Sequence, residues 1–246
     1  MDNAHRQSLI DLLVHDDPEH RHQGVVLLHS LGPTSAEVLF AAPRVARDRP
    51  MVSFTEGYLL TDELLAAWTG PEAAPWPWTT ELIALDLAGQ FRLTHLGALA
   101  AMPELEVLKL VSCVHLESLE GLGHLQKLAW LELSRCAGIE SLAGLEGCSE
   151  LEELHLTGCA KLSDIAALTG CHALKVIDLR SCGEVTDISA LAGLPNLTHV
   201  YLPREVTDFA PLLDCPKLVR VHTGSLWGER EEAAACLRGH CEVVES

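Results

Sequence analysis

The sequence predicts an α/β solenoid built along a single parallel sheet. Three observations carry that prediction. A leucine recurs as Leu82, Leu105, Leu128, Leu151, Leu174 and Leu197, five successive intervals of 23 residues. Self-similarity at a fixed period of this size marks a stacked-repeat architecture. Each unit then opens L-x-x-L-x-L, as in Leu151, Leu154 and Leu156, with leucine inward and a variable residue outward in the manner of a strand. Further apolar positions follow three apart, as in Leu162, Ile165, Leu168 and Cys171, a spacing that suits tight 3₁₀-like turns. One short strand per unit, each followed by a crossover, lays the strands parallel along one face of the coil.

Residues 1–80 are expected to form a helical N-terminal region and cap, followed by a Pro/Trp-rich linker. Residues 8–14 carry Leu9, Ile10, Leu12 and Leu13. Asp17-Pro18-Glu19 is a helix start, with a carboxylate N-cap, proline at the first helical position and an acid in the first turn. Gly24, Val25, Leu27, Leu28 and Leu31 give that helix an apolar face, and Gly32-Pro33 stops it. A third short helix fits residues 35–42, so residues 1–49 read as helical. The segment DDPEHRHQGVVLLHSLG resembles the opening of a HEAT-type helical repeat over about one helix pair. A cap is the preferred reading, because the first coil of a solenoid would otherwise expose its core. Thr61-Asp62-Glu63 starts another short helix through Leu64, Leu65, Ala67 and Trp68, ended by Gly70-Pro71. The Pro-rich stretch after it, with alternating Trp76 and Trp78, is expected to fold onto the cap.

Residues 81–227 form the solenoid. Full units span 82–104, 105–127, 128–150, 151–173 and 174–196; the sixth is short by two, and the seventh, from Leu218, keeps only its strand. Ser163-Asp164, Thr186-Asp187 and Thr207-Asp208 stand where convex segments begin, as capping groups. Residues 228–246 are a C-terminal cap with a helix over 229–237, whose apolar edge is Ala233, Cys236 and Leu237.

The in-phase columns of residues 82 to 226 resemble leucine-rich repeats, and within that class the bacterial, internalin-like units, as in TDISALAGLPNL. The resemblance implies a curved right-handed solenoid that binds protein partners on its concave sheet. The chain departs from the family at the ninth position. Where asparagine is usual, it has Gln90, Cys113, Cys136, Cys159 and Cys182. Cysteine is small, tolerates burial and is a weaker donor. Successive coils set these thiols about 4.8 Å apart. An evenly spaced line does not converge on a tetrahedral zinc, and parallel side chains do not point at one another as a disulfide requires. The column is therefore expected to be buried and structural, as is a second one of Cys148, Cys171 and Cys215. For Cys236 and Cys241, in the cap, the sequence leaves the redox state open.

Composition narrows the function. The hydrophobic fraction is 48% but aromatics only 4%, so the core must be aliphatic. The formal charge is −18, of which residues 1–80, with 5 basic and 11 acidic side chains, contribute −6. No clustered Lys/Arg is present to neutralise nucleic-acid phosphates, and an anionic membrane surface is disfavoured. No apolar run reaches the roughly 18 residues of a spanning helix. MDNAHRQSLIDLL lacks a leader layout. The expectation is a cytoplasmic protein with no nucleic-acid or membrane partner, monomeric unless complexed. Its acidic balance favours a basic protein partner by steering.

Outward strand positions are the third, fifth and seventh of each unit. The third-position column reads Ala84, Val107, Trp130, Glu153, Val176, His199, Arg220, and the fifth Asp86, Lys109, Glu132, His155, Asp178, Tyr201, His222. The seventh reads Ala88, Val111, Ser134, Thr157, Arg180, Pro203, Thr223. Trp130, Glu132, Glu153, His155, Asp178, Arg180, His199 and Tyr201 thus gather on one surface, rich in the aromatic and arginine side chains that dominate binding hot spots. The competing reading is a solvated ladder in which Lys109/Glu132 and His155/Asp178 balance charge, each pair contributing little. His155, Asp178 and His199 also invite a metal, and His155 beside Asp178 a general base. A smooth sheet has no water-excluding pocket, and no phosphate-loop, dinucleotide or nucleophile-elbow motif occurs. The expected function is a non-catalytic, cofactor-free protein-binding module acting as an adaptor, inhibitor or immunity-type partner. The alternatives are a scaffold whose partner docks on the N-terminal helical and tryptophan region, and a metal-dependent enzyme.

Overall fold

The computed structural model describes residues 44–46, 49–53, 83–226 and 228–245. The helices expected over most of residues 1–43, the helix from Thr61 and the Trp76/Trp78 segment lie outside them. Among the described residues ten strands form one sheet in sequence order. They are β1 (Arg44–Ala46), β2 (Arg49–Ser53), β3 (Ala84–Asp86), β4 (Val107–Lys109), β5 (Trp130–Glu132), β6 (Glu153–His155), β7 (Val176–Asp178), β8 (His199–Tyr201), β9 (Arg220–His222) and β10 (Glu242–Val244). β1 and β2 pair antiparallel; every later neighbour pairs parallel. From β3 to β8 the register matches the sequence period, residue for residue: Ala84 faces Val107, Val107 faces Trp130 and Trp130 faces Glu153.

Two differences lie at the ends. Residues 44–46 and 49 are strand, not helix, and with residues 50–53 they extend the sheet ahead of the first leucine unit. At the other end the expected helix is split into α1 (Glu229–Ala234) and a 3₁₀ turn over Ala235–Leu237. Ala234 and Leu237 are buried there while Cys236 is exposed, so the packed edge is rotated from the expected one. The chain then adds β10, a strand the short tail did not announce.

The core is a set of stacked columns. In the clearest unit Leu151, Leu154, Leu156, Cys159, Leu162, Leu168 and Cys171 are completely buried. Burying each such side chain stabilises the fold by about 1.5–3 kcal/mol before chain entropy is charged against it. On the convex side the three-residue spacing produces 3₁₀ turns at Gly97–Ala101, Leu122–His124, Ala166–Gly170, Ser189–Leu191 and Ala210–Asp214. The carboxylates of Asp164, Asp187 and Asp208 accept the first amides of the last three, from Ala166 at 2.9 Å, Ser189 at 2.8 Å and Ala210 at 2.9 Å. Ser118 and Ser141 do the same for Glu120 and Ala143, both at 3.1 Å, so the capping column runs further than the aspartates alone indicate.

The unit spanning 128–150 has turns in place of a 3₁₀ helix, and there neighbouring backbones approach closely. A methyl group on Gly147 would sit 2.1 Å from the Gly123 carbonyl oxygen. At Gly170, one coil on, the nearest atom would be 3.5 Å away, an ordinary contact.

The ninth-position thiols have partners. Cys113, Cys136, Cys159 and Cys182 donate to the carbonyls of Leu87, Leu110, Leu133 and Leu156 in the preceding coil, at 3.2, 2.9, 3.0 and 3.0 Å. In the second column Cys148 and Cys215 donate to Leu122 and Leu191 at 3.2 and 3.1 Å. Burial pushes the Cys148 thiol up to about 12 and that of Cys171 up to about 11. Such thiols stay protonated at neutral pH, and it is the thiolate that reacts.

Gly147→Ala should lower stability by about 1–3 kcal/mol through overpacking, read as a lower urea midpoint, while Gly170→Ala should leave the midpoint nearly unchanged. In native protein a thiol-reactive chromophore should label Cys236 and Cys241 quickly and the seven buried thiols only on unfolding, when all nine react.

Candidate functional site

The alternation that buries leucine at the fourth and sixth positions sends the third and fifth to the concave surface. Trp130, Glu132, Glu153, His155, His199 and Tyr201 are all half-buried there, on strands β5, β6 and β8. Arg180, just beyond β7, is exposed. The eight expected residues share one surface, but they do not play equal parts in it.

Trp130 is flanked on both sides. The Lys109 ammonium lies 5.3 Å from the ring centroid, over its face. The His155 ring is 5.4 Å away and tilted by 45°. The His155 Nε2 is also 3.5 Å from Glu153 Oε2. The charge pairs expected along the fifth-position column are therefore replaced by others. Lys109 goes to the indole although Glu132 stands opposite it in register. His155 goes to Glu153 although Asp178 stands opposite.

Asp178 is the residue whose expected role changes most. It is only 3% exposed and offers a partner almost nothing. Its Oδ1 accepts the Arg180 backbone amide at 3.0 Å and Arg180 Nε at 2.9 Å, and its Oδ2 takes the remaining fork contact. Burial alone would raise its pKa. The side-chain and backbone hydrogen bonds from Arg180, that side chain's charge and the Thr157 hydroxyl outweigh burial and hold the carboxyl below the usual range. Asp178 therefore positions Arg180, whose guanidinium lies 4.9 Å over the Tyr201 ring. Tyr201 in turn stacks on His222, with centroids 4.2 Å apart and planes within 10°. Burial, then the charges of Arg220 and Arg180, lower the His222 pKa, which leaves this imidazole neutral at pH 7. Lys109 and His222 were not among the residues singled out from the sequence. Their signal was available in the register, since each lies one unit from an aromatic residue on the same face, Trp130 for Lys109 and Tyr201 for His222.

The metal reading meets a different arrangement. His155 turns to Glu153, Asp178 to Arg180, and His199 Nδ1 lies 3.0 Å from Thr198 Oγ1. Among the described residues no three His, Cys, Asp or Glu side chains form a group able to hold a metal ion. Among the same residues no helix is long and apolar enough to cross a membrane. The seventh-position column also needs correction at its end. Pro203 and Thr223 are both buried. Thr223 occupies the sixth, inward position of its unit, and Gly224 the seventh.

A parallel sheet with one short strand per coil, convex 3₁₀ turns and an in-phase leucine core define the leucine-rich-repeat fold. Comparison with known proteins agrees on fold. The internalin C2 (InlC2) structure from Listeria monocytogenes str. 4b F2365 matches with a TM-score of 0.58 and 22% identity, over 80% of this chain and 80% of that one. The internalin InlF structure from the same strain matches with a TM-score of 0.54 and 17% identity, over 71% of this chain and 54% of that one. The chain thus spans about half the length of InlF. No protein-family model and no curated protein matches the sequence.

The Asp178–Arg180 pair gives a pH dependence. A carboxyl held low in the folded state contributes stability that is present above its unfolded pKa of about 3.9 and is lost as pH falls through the folded value. Asp178→Asn should therefore be less stable than wild type at pH 7. The gap should start to narrow as pH falls below about 3.9 and close only as it passes the lower folded value, where the native carboxyl also becomes neutral. Urea unfolding of both proteins across pH 3–7 reads this out.

Proposed function

We propose that this protein is a non-catalytic module that binds a protein partner on its concave sheet, in the manner of an adaptor, an inhibitor or an immunity-type protein. The observation that supports this most is the pre-ordering of its aromatic anchors. Trp130 is held between Lys109 and His155, and Tyr201 between Arg180 and His222. Aromatic and arginine side chains carry most interface energy, and side chains already immobilised lose less entropy on binding. A cytoplasmic setting belongs to the same reading. The thiols of the ninth column serve as hydrogen-bond donors only while reduced, and a reducing compartment keeps them so.

The test is partner capture from the host, followed by affinity measurement with single variants. Trp130→Ala and Tyr201→Ala should each weaken binding by about tenfold or more, as hot-spot residues do. Ala160→Ser, in the loop beyond the sheet, should leave affinity unchanged. Hydrogen exchange in the complex should show protection centred on residues 130–132, 153–155 and 199–201. Unchanged affinity in both aromatic variants, or protection confined to residues outside the sheet, refutes the proposal.

A further inference from the structure

Resting on the concave-face reading, we infer that Trp130, Glu132 and Glu153 form a receptor for a lysine or arginine side chain of a basic partner segment, and that Lys109 occupies that receptor until the partner arrives. The geometry names the chemistry. A cation within about 6 Å of an indole centroid is attracted to the ring face, and the Lys109 ammonium sits there at 5.3 Å. It does so although Glu132 lies directly opposite it across the strands. Glu153 stands directly opposite Trp130, and Glu132 lies two residues along the same strand and so on the same face. The ring supplies a flat π surface, and the two carboxylates accept the hydrogen bonds of an ammonium or guanidinium.

The local charge agrees. At the third and fifth positions of β3–β6, Asp86, Glu132 and Glu153 stand against Lys109, three negative groups to one positive. The Glu153 side chain remains 41% exposed despite its contact with His155. A partner cation arriving on the indole displaces the Lys109 ammonium. The displaced group shares Glu132 with the incoming cation: that carboxylate lies one strand away, about 5 Å distant at Cβ, and its two oxygens offer more acceptor sites than one cation fills. Binding is then an exchange of one cation for another, and displacing the resident lysine lowers the affinity for any incoming one.

A fluorescently labelled peptide of alternating lysine and serine is the probe, with the glutamate–serine peptide as control, read by anisotropy at low salt. The lysine peptide should bind and the glutamate peptide should not. Trp130→Ala and Glu153→Gln should each weaken binding by roughly two- to fivefold, the range of an exposed cation–π contact or ion pair, and Trp130→Phe should retain part of it. Lys109→Gln should tighten binding by roughly two- to fivefold by vacating the ring. Lys217→Gln removes the same charge from an exposed hydrogen bond with Asn196, at the end of the sixth unit and several coils along from Trp130, and should tighten it less than twofold. Equal tightening by the two glutamine variants overturns the inference in favour of bulk charge. So does lysine-peptide affinity that is unchanged in a Trp130→Ala variant with wild-type circular dichroism, or no binding of the lysine peptide at all. If the captured protein partner is nonetheless lost on Trp130→Ala, the concave-face reading stands and only the cation receptor falls.

Discussion

The buried carbonyl at the sixth position of each unit is the constraint on which the solenoid depends. It lies inside an aliphatic column, has two acceptor sites and is shut off from water. One site is filled from its own coil: Leu110, Leu133 and Leu156 accept the amides of Cys113, Cys136 and Cys159 at 3.3, 3.1 and 3.1 Å. The other is filled by the thiol of the next coil at 2.9–3.2 Å. Reaching both requires the chain to turn sharply after the strand. The residue before each cysteine accordingly takes a left-handed conformation, even when it is Ser112, Arg135 or Ser181, with φ near +60°. That conformation costs roughly 1 kcal/mol for a non-glycine residue. Leaving a buried carbonyl unpaired costs about 1–3 kcal/mol, so the turn is kept.

Where the thiols stop, another donor takes over. The sixth unit is two residues short and has no cysteine at its turn. Arg230, from α1, reaches across to that gap. Its guanidinium donates to the carbonyls of Val206 at 2.8 Å, Pro203 at 3.2 Å, Thr223 at 3.0 Å and Ser225 at 3.0 Å. It also lies 5.6 Å from the Phe209 ring centroid. One charged, forked side chain thus satisfies four carbonyls of the last two coils, and it pins the C-terminal cap in doing so.

The same repetition shapes the concave surface. Because inward positions are committed to leucine, only two or three side chains per coil face the partner side, and neighbours stack about 4.8 Å apart. Such a surface has little depth, and specificity has to come from which side chains hold one another upright. Two such groups are built, one around Trp130 and one around Tyr201. Between them Asp178 gives up its own exposure to orient Arg180.

The repeat architecture, the inward columns, the buried thiols and the outward faces of Trp130, Glu153, His199 and Tyr201 were legible in the sequence, because side-chain direction follows from a period that the leucines fix. The choice of contacts on that face was not. Lys109 and His155 each had a carboxylate directly opposite, and both took other partners, since side chains on a flat sheet reach diagonally as easily as straight across. Nor did periodicity announce the ends, where β1, β2 and β10 extend the sheet and Arg230 closes it: outside the repeat no column constrains its neighbour. Local pattern determined what faces in and what faces out. Tertiary packing alone decided which exposed groups pair, because that depends on distances between coils and not on spacing along the chain.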